Sequence, residues 1–150
     1  FSLALWLTAC ATTVRAPSES PQWQGRLSVT VHSDPPRSST ASFQLQGSSQ
    51  KGEMSLFSPM GTTVAQLQWS GAQAHLQQGQ DVQRYASMAQ LTEQITGSAL
   101  PMPALFDWLQ GKPHNSDGWQ VDLSDIQQGA LSAQRLAPLP VVSLRIKLEP

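Results

Sequence analysis

The sequence predicts a mainly β domain, an antiparallel meander of short strands with two short amphipathic helices inserted late in the chain. Three observations carry this expectation. From Trp23 to Tyr85, apolar and polar residues alternate with period two in a succession of short runs. Glycine, proline and serine separate those runs as turn signals. Between Ser87 and Gly111 the apolar period lengthens to that of a helix. The chain has 150 residues, which fits one domain.

The elements follow in order. Residues 25–31 alternate cleanly, with Leu27, Val29 and Val31 on one face and Arg26, Ser28 and Thr30 on the other. Asp34-Pro35-Pro36 ends that strand, because proline has no N–H for a ladder. Residues 41–46 place Ala41, Phe43 and Leu45 together, and residues 47–50 turn the chain. In residues 52–58, Met54 and Leu56 share a face opposite Phe57. Ser58-Pro59-Met60-Gly61 has proline and glycine where a type I turn wants them. Residues 62–69 set Ala65, Leu67 and Trp69 against Val64, Gln66 and Gln68. After Ser70-Gly71, residues 74–77 and 82–85 make two weaker strands joined through Gly79.

Ser87 and Gln90 have the spacing of a capping box. Met88, Leu91 and Ile95 then recur at helical spacing, and Gly97 stops the helix. Pro101 and Pro103 open a second helix with an apolar stripe of Leu105, Trp108 and Leu109; Gly111 and Pro113 end it. Strands return at residues 118–123, around Trp119 and Val121. The last is at residues 141–148, where Val142, Leu144, Ile146 and Leu148 alternate with charged side chains. Between residues 125 and 140 only 134–136 reads as a short strand. The number of strands and the charged outward face argue against an outer-membrane barrel.

Composition excludes several function classes. Charged residues are only 13% of the chain and the net charge is −1, so there is no basic excess to neutralise a nucleic-acid backbone. The lone cysteine, Cys10, can form neither an internal disulfide nor a multi-cysteine metal site. No Gly-x-Ser-x-Gly elbow, His-Glu-x-x-His pair or P-loop occurs. His32, His75 and His114 read as turn or strand-end histidines, and Asp122 and Asp125 as solvated carboxylates. Neither an enzyme, a cofactor nor a bound metal is expected. The alternating faces admit two arrangements. One is an ordinary closed core between sheet and helices. The other is an open, curved sheet whose concave face stays partly empty and takes an apolar ligand.

Residues 1–9 form an apolar run too short to span a bilayer but suited to the hydrophobic part of a secretory signal whose basic start is missing. The tetrad Leu7-Thr8-Ala9-Cys10 resembles a bacterial lipobox. That resemblance implies cleavage before Cys10 and acylation of its thiol and amino group, giving stable membrane anchoring where one acyl chain is marginal. Ala11, in place of aspartate, implies sorting to the outer membrane. Residues 10–22 then form a lipidated N-terminus and flexible tether. The twelve residues after Cys10 could reach about 40 Å.

Taken together, these features resemble the LolB family of outer-membrane receptors for bacterial lipoproteins. The resemblance covers nearly the whole chain. It rests on the lipobox, on Gly25-Arg26-Leu27-Ser28-Val29, and on Leu56-Phe57-Ser58-Pro59-Met60-Gly61-Thr62-Thr63. It continues through Leu91-Thr92-Glu93-Gln94-Ile95-Thr96-Gly97 and Leu100-Pro101-Met102-Pro103, then Leu105 and Trp108-Leu109-Gln110-Gly111. The strand around Trp119 and the closing Leu144-Arg145-Ile146-Lys147-Leu148 complete it. The resemblance implies that residues 23–150 form an unclosed antiparallel β-barrel, a curved sheet covered by helices around a hydrophobic cavity. It implies a monomer held by acylated Cys10 in the inner leaflet of the outer membrane, facing the periplasm. There it would accept acylated lipoproteins from a LolA-type periplasmic carrier and insert them into the membrane. The family carries an exposed apolar residue at the position of Met60, usually Leu, that aids insertion, so Pro59, Met60 and Gly61 are the expected insertion loop. Strand and helix periodicity assigns the cavity lining to Leu27, Val29, Phe43, Leu45, Met54, Leu56, Leu67, Trp69, Leu91, Ile95, Leu105, Trp108, Leu144 and Ile146. The alternative is a structural or protein-binding outer-membrane lipoprotein with a closed core.

Overall fold

Among the described residues nine strands form one antiparallel sheet. They are β1 (Gln22–Val31), β2 (Arg37–Gly47), β3 (Lys51–Phe57), β4 (Thr63–Ser70), β5 (Gln73–Gln78), β6 (Asp81–Tyr85), β7 (Trp119–Asp122), β8 (Ala130–Arg135) and β9 (Val142–Leu148). The computed structural model describes residues 21–150. The expected signal segment, Cys10 and most of the tether lie outside the described residues. The spatial order is β6-β5-β4-β3-β2-β1-β9-β8-β7. The first strand therefore lies at the middle, paired to β2 on one side and to β9 on the other. Among the described residues β6 and β7 have no second partner, so the barrel stays unclosed. These edges are short, and β6 carries Asp81 and Arg84, features that discourage edge-to-edge pairing.

Alternation becomes two faces of different chemistry. The inner face carries Val29, Phe43, Leu45, Leu67, Ala74, Leu131, Val142 and Leu144, all buried. The outer face is a set of polar rows running across the strands. One row is Gln22, Gln46, Glu53, Gln68, His75 and Arg84; the next is Gln24, Gln44, Ser55, Gln66 and Gln77. Gln22 Nε2 donates to Gln46 Oε1 at 3.2 Å, and Gln46 Nε2 donates to Glu53 Oε1. This is where the glutamines of a weakly charged sequence go. Nine strands exceed the eight of the smallest membrane barrels, so too few strands is no ground for excluding one. The polarity of the faces is such a ground, because a transmembrane barrel is apolar outside.

Helix α1 (Met88–Thr96) starts as its sequence demands. Ser87 Oγ accepts the N–H of Gln90 at 3.2 Å. The return bond reaches one residue earlier than in a strict capping box, with Ala86 N–H donating to Gln90 Oε1 at 3.1 Å. Gly97, at φ +88°, ends the helix and donates to Glu93 O. Helix α2 (Met102–Leu109) differs from the expected stripe. Met102, Ala104, Leu105, Phe106, Trp108 and Leu109 are all buried, so it is apolar nearly all round and enclosed by the sheet's concave side. Phe106 meets Trp23 edge-on at 5.7 Å and Trp69 at 6.2 Å.

The stretch before β9 corrects the sequence reading. The strand expected at residues 134–136 is instead β8, Ala130–Arg135, preceded by a 3-10 turn at Ile126–Gln128. Only Leu131 and Ala133 point inward, and alanine has weak strand preference, so local sequence signals little. Pairing with β9 along its length makes the strand. Strands β1 and β2 likewise run beyond the alternating segment, to Gln22 and from Arg37, because each extends its partner's ladder.

Candidate functional site

The two helices do not fill the concave face completely. An internal cavity of about 50 Å³ remains between them and the sheet. Leu27, Phe43, Leu45, Met54, Leu56, Leu67, Leu144 and Ile146 form its floor, and Ile95 and Leu105 face them from the helices. These ten of the fourteen expected residues are brought together. The other four are not at the cavity. Val29, Trp69, Leu91 and Trp108 are buried elsewhere in the core. Alternation tells which face a residue takes, not how far along the strand the opening lies.

The cavity also has a wall that periodicity did not assign. Met88, Thr92, Thr96, Leu100, Met102 and Leu109 line it. Three of the chain's four methionines, Met54, Met88 and Met102, therefore border the space, and unbranched thioethers reshape easily. The two threonines keep the wall effectively apolar. Thr92 Oγ1 donates to Met88 O at 2.9 Å and accepts the Leu100 N–H at 3.0 Å. Thr96 Oγ1 lies 2.8 Å from Thr92 O and accepts from Ser98 N–H at 3.2 Å. Their hydroxyls are spent on backbone, as buried polar groups require. The readable signal was the spacing of 88, 92 and 96 on one helix face. Among the described residues no charged side chain borders the cavity.

Ligand pockets usually measure about 300–1,000 Å³. A space of about 50 Å³ takes a methyl-sized group or two, so occupation by a chain requires the helical cover to lift. Arg37, at the start of β2, ties that cover down. Its Nη2 donates to Ile95 O at 2.9 Å and to Gln94 O at 3.4 Å, a cation on the last turn of α1. Arg37→Leu is expected to cost about 1 kcal/mol, since the bond is charge-assisted but exposed. Faster amide hydrogen exchange confined to α1 checks it; unchanged exchange there would show that Arg37 does not hold the helix.

Elsewhere the structure gives little chemistry. His114 Nδ1 lies 2.6 Å from Asp107 Oδ2, a partner the sequence spacing did not suggest. Among the described residues no hydroxyl is hydrogen-bonded to that ring. His32 Nε2 lies 2.9 Å from Ser143 Oγ. Asp122 accepts from Ser124 Oγ at 2.6 Å and from Ser124 N–H at 2.9 Å, which holds its exposed carboxyl below the usual range. No group of three or more potential metal ligands occurs among the described residues. No helix there is long and apolar enough to cross a membrane.

Met60 is at the tip of the β3–β4 turn and is 93% exposed. Gly61 N–H donates to Ser58 O at 2.9 Å, closing the turn, and Ser58 N–H donates to Thr62 O. Gly61 has φ +82°, a conformation glycine adopts without strain. Pro59 occupies the position before Met60, where its fixed φ suits the turn.

An unclosed barrel, roofed by two helices, apolar within and polar without, defines a protein organised around an apolar interior. Its exposed apolar tip lies outside that interior. The family model described as Outer membrane lipoprotein LolB matches residues 20–148, and the chain belongs to the LolB family. Members of this family are outer-membrane lipoproteins that serve in lipoprotein localisation. No curated protein matches the chain.

Proposed function

We propose that this protein accepts acylated lipoproteins from a LolA-type periplasmic carrier and inserts them into the outer membrane. Acylated Cys10 holds it in the inner leaflet, facing the periplasm, with the tether of residues 11–21, ending where β1 begins, giving it reach. The observation that carries the reading is the uncharged apolar space between the concave sheet and its helical cover. Each acyl CH₂ left in water costs about 0.8 kcal/mol, so lipoprotein chains need such shelter. Leu27, Phe43, Leu45, Leu105 and Ile146 are contacts for the chains once α1 and α2 lift. Burial of this kind is nonspecific, which suits many clients, and exchange needs only a small gradient of affinity from carrier to receptor to membrane.

A photo-crosslinker at position 105 tests this. Mixed with carrier loaded with acylated client, the protein should crosslink to the client; a client lacking acyl chains should not. Absence of crosslinking to the acylated client would sink the reading. The small cavity volume favours a second reading, the protein-binding lipoprotein with a closed core. That reading predicts equal capture of acylated and unacylated partners, away from position 105.

Met60 acts at the delivery step. Met60→Glu is expected to leave acceptance unchanged and to slow delivery to membranes about tenfold, because a carboxylate resists entering the bilayer interface. Sedimentation of labelled client with vesicles measures it, and equal delivery by variant and parent would reject the role.

A further inference from the structure

Among the described residues the exposed large apolar side chains are Met60, Val64, Val82, Leu136 and Leu139. Topology places all five at one end of the sheet, the end at which β1 finishes with Val31. Met60 tips the β3–β4 turn, Val64 and Val82 are second residues of β4 and β6, and Leu136 and Leu139 lie between β8 and β9. The turns of the opposite end, at residues 48–50, 71–72 and 123–129, carry none of them. Both rims step in one direction across the sheet, as tilted barrel strands require.

The β8–β9 loop reads Leu136-Ala137-Pro138-Leu139-Pro140-Val141 and has no charge. Its two prolines bring no N–H groups to desolvate. Its base is braced from three sides. Leu136 N–H donates to Gly118 O at 2.9 Å, His32 N–H donates to Val141 O at 2.8 Å, and Arg135 Nη2 donates to Pro140 O at 3.3 Å. Nevertheless Leu139 is 78% exposed. A braced base and an apolar, exposed tip repeat the design of the β3–β4 turn.

We propose that the β8–β9 loop is a second membrane contact, with Leu139 entering the interface of a phospholipid bilayer alongside Met60. The domain then docks by one whole end of its sheet. This rests on reading Met60 as a membrane-inserting residue. A bilayer is the fitting occupant because the apolar side chains are single and spread from β6 to β8. A fluid interface accepts each separately, whereas a protein partner needs a contiguous complementary patch. Chain length agrees. The eleven residues between Cys10 and Gln22 reach about 36 Å, and β1, which starts at the far end, is about 33 Å long. A lipid on Cys10 can therefore lie in the plane of the apolar end with little slack, adding the second signal that stable anchoring needs.

Cys10 is the only cysteine, so Cys10→Ser combined with Leu139→Cys, Met60→Cys or Gln50→Cys leaves one site for a nitrobenzoxadiazole label. With phosphatidylethanolamine–phosphatidylglycerol vesicles, labels at 139 and 60 should blue-shift and be quenched by brominated lipid. The label at 50, on the opposite end, should not. A response at 60 without 139 overturns this proposal and leaves the Met60 reading standing. Silence at both positions removes both. Equal responses at 139 and 50 mean nonspecific adsorption and also overturn it. Leu139→Glu on the Cys10→Ser chain should weaken vesicle binding about tenfold with an unchanged melting temperature; unchanged binding would count against the contact.

Discussion

Trp108→Ala is expected to remove about 3–5 kcal/mol of stability, the range for truncating a large buried aromatic. Trp108 is fully buried on α2. Its ring lies 6.2 Å from that of Trp119, and its Nε1 donates to His114 O at 3.1 Å. Truncation therefore opens a void and leaves the His114 carbonyl without this donor. The loss falls where α2 joins the β7 side of the sheet. Chemical denaturation measures it, and the melting temperature should fall by roughly 10–15 °C for a domain of this size. Trp108→Phe keeps most of the area and loses the hydrogen bond, so about 1–2 kcal/mol is expected. A Trp108→Ala protein within about 1 kcal/mol of the parent would show that the helix packs loosely there.

Gly25→Ala is expected to be as severe or worse, for a backbone reason. A Cβ at Gly25 would lie 2.0 Å from Lys147 O and 2.8 Å from Leu148 Cα. Both atoms belong to the main chain of β9, so no rotamer change relieves the clash. Gly25 pairs with Leu148 on one side and Phe43 on the other, and β1–β9 is the seam joining the β7–β9 block to the rest of the sheet. The methyl must force that seam apart, which costs about 3 kcal/mol or more. The entropic gain of replacing glycine, about 0.4–1 kcal/mol, does not offset it. Gly61→Ala gives the comparison. Among the described residues nothing lies within 4 Å of its Cβ, and the strained φ of +82° opposes it, costing about 1–2 kcal/mol. A Gly25→Ala protein that melts cooperatively at the parental temperature would refute the close approach.

Particular residues show what could be read before the structure. Strands β1 to β6 follow from alternation, because a pleated chain with one buried face writes its period into sequence. The cap at Ser87 and the stop at Gly97 follow from hydrogen-bond chemistry within a few residues. At β8 the local signal is weak, because only Leu131 and Ala133 face inward and pairing with β9 supplies the order. In the second helix three residues at helical spacing predict a stripe, yet Ala104 and Phe106 are buried too. A helix enclosed on several sides has no exposed face to mark. At the site, Leu45 and Leu67 were legible as inward residues, whereas Thr92 and Thr96 were not legible as wall. Their hydroxyls turn back on the backbone, which only the folded chain reveals.

Local sequence is enough to establish which face of each strand is apolar, where the turns fall, that two helices interrupt the meander, and the resemblance to the LolB family. These are properties of neighbouring residues and of side-chain chemistry. The tertiary structure alone decided that β1 sits between β2 and β9, that Arg37 caps α1, and that the apolar tips gather at one end. It also decided that the cover closes to about 50 Å³. Strand order and cavity volume depend on how distant segments approach one another. An ångström of helix displacement changes the cavity while leaving every local period as it was.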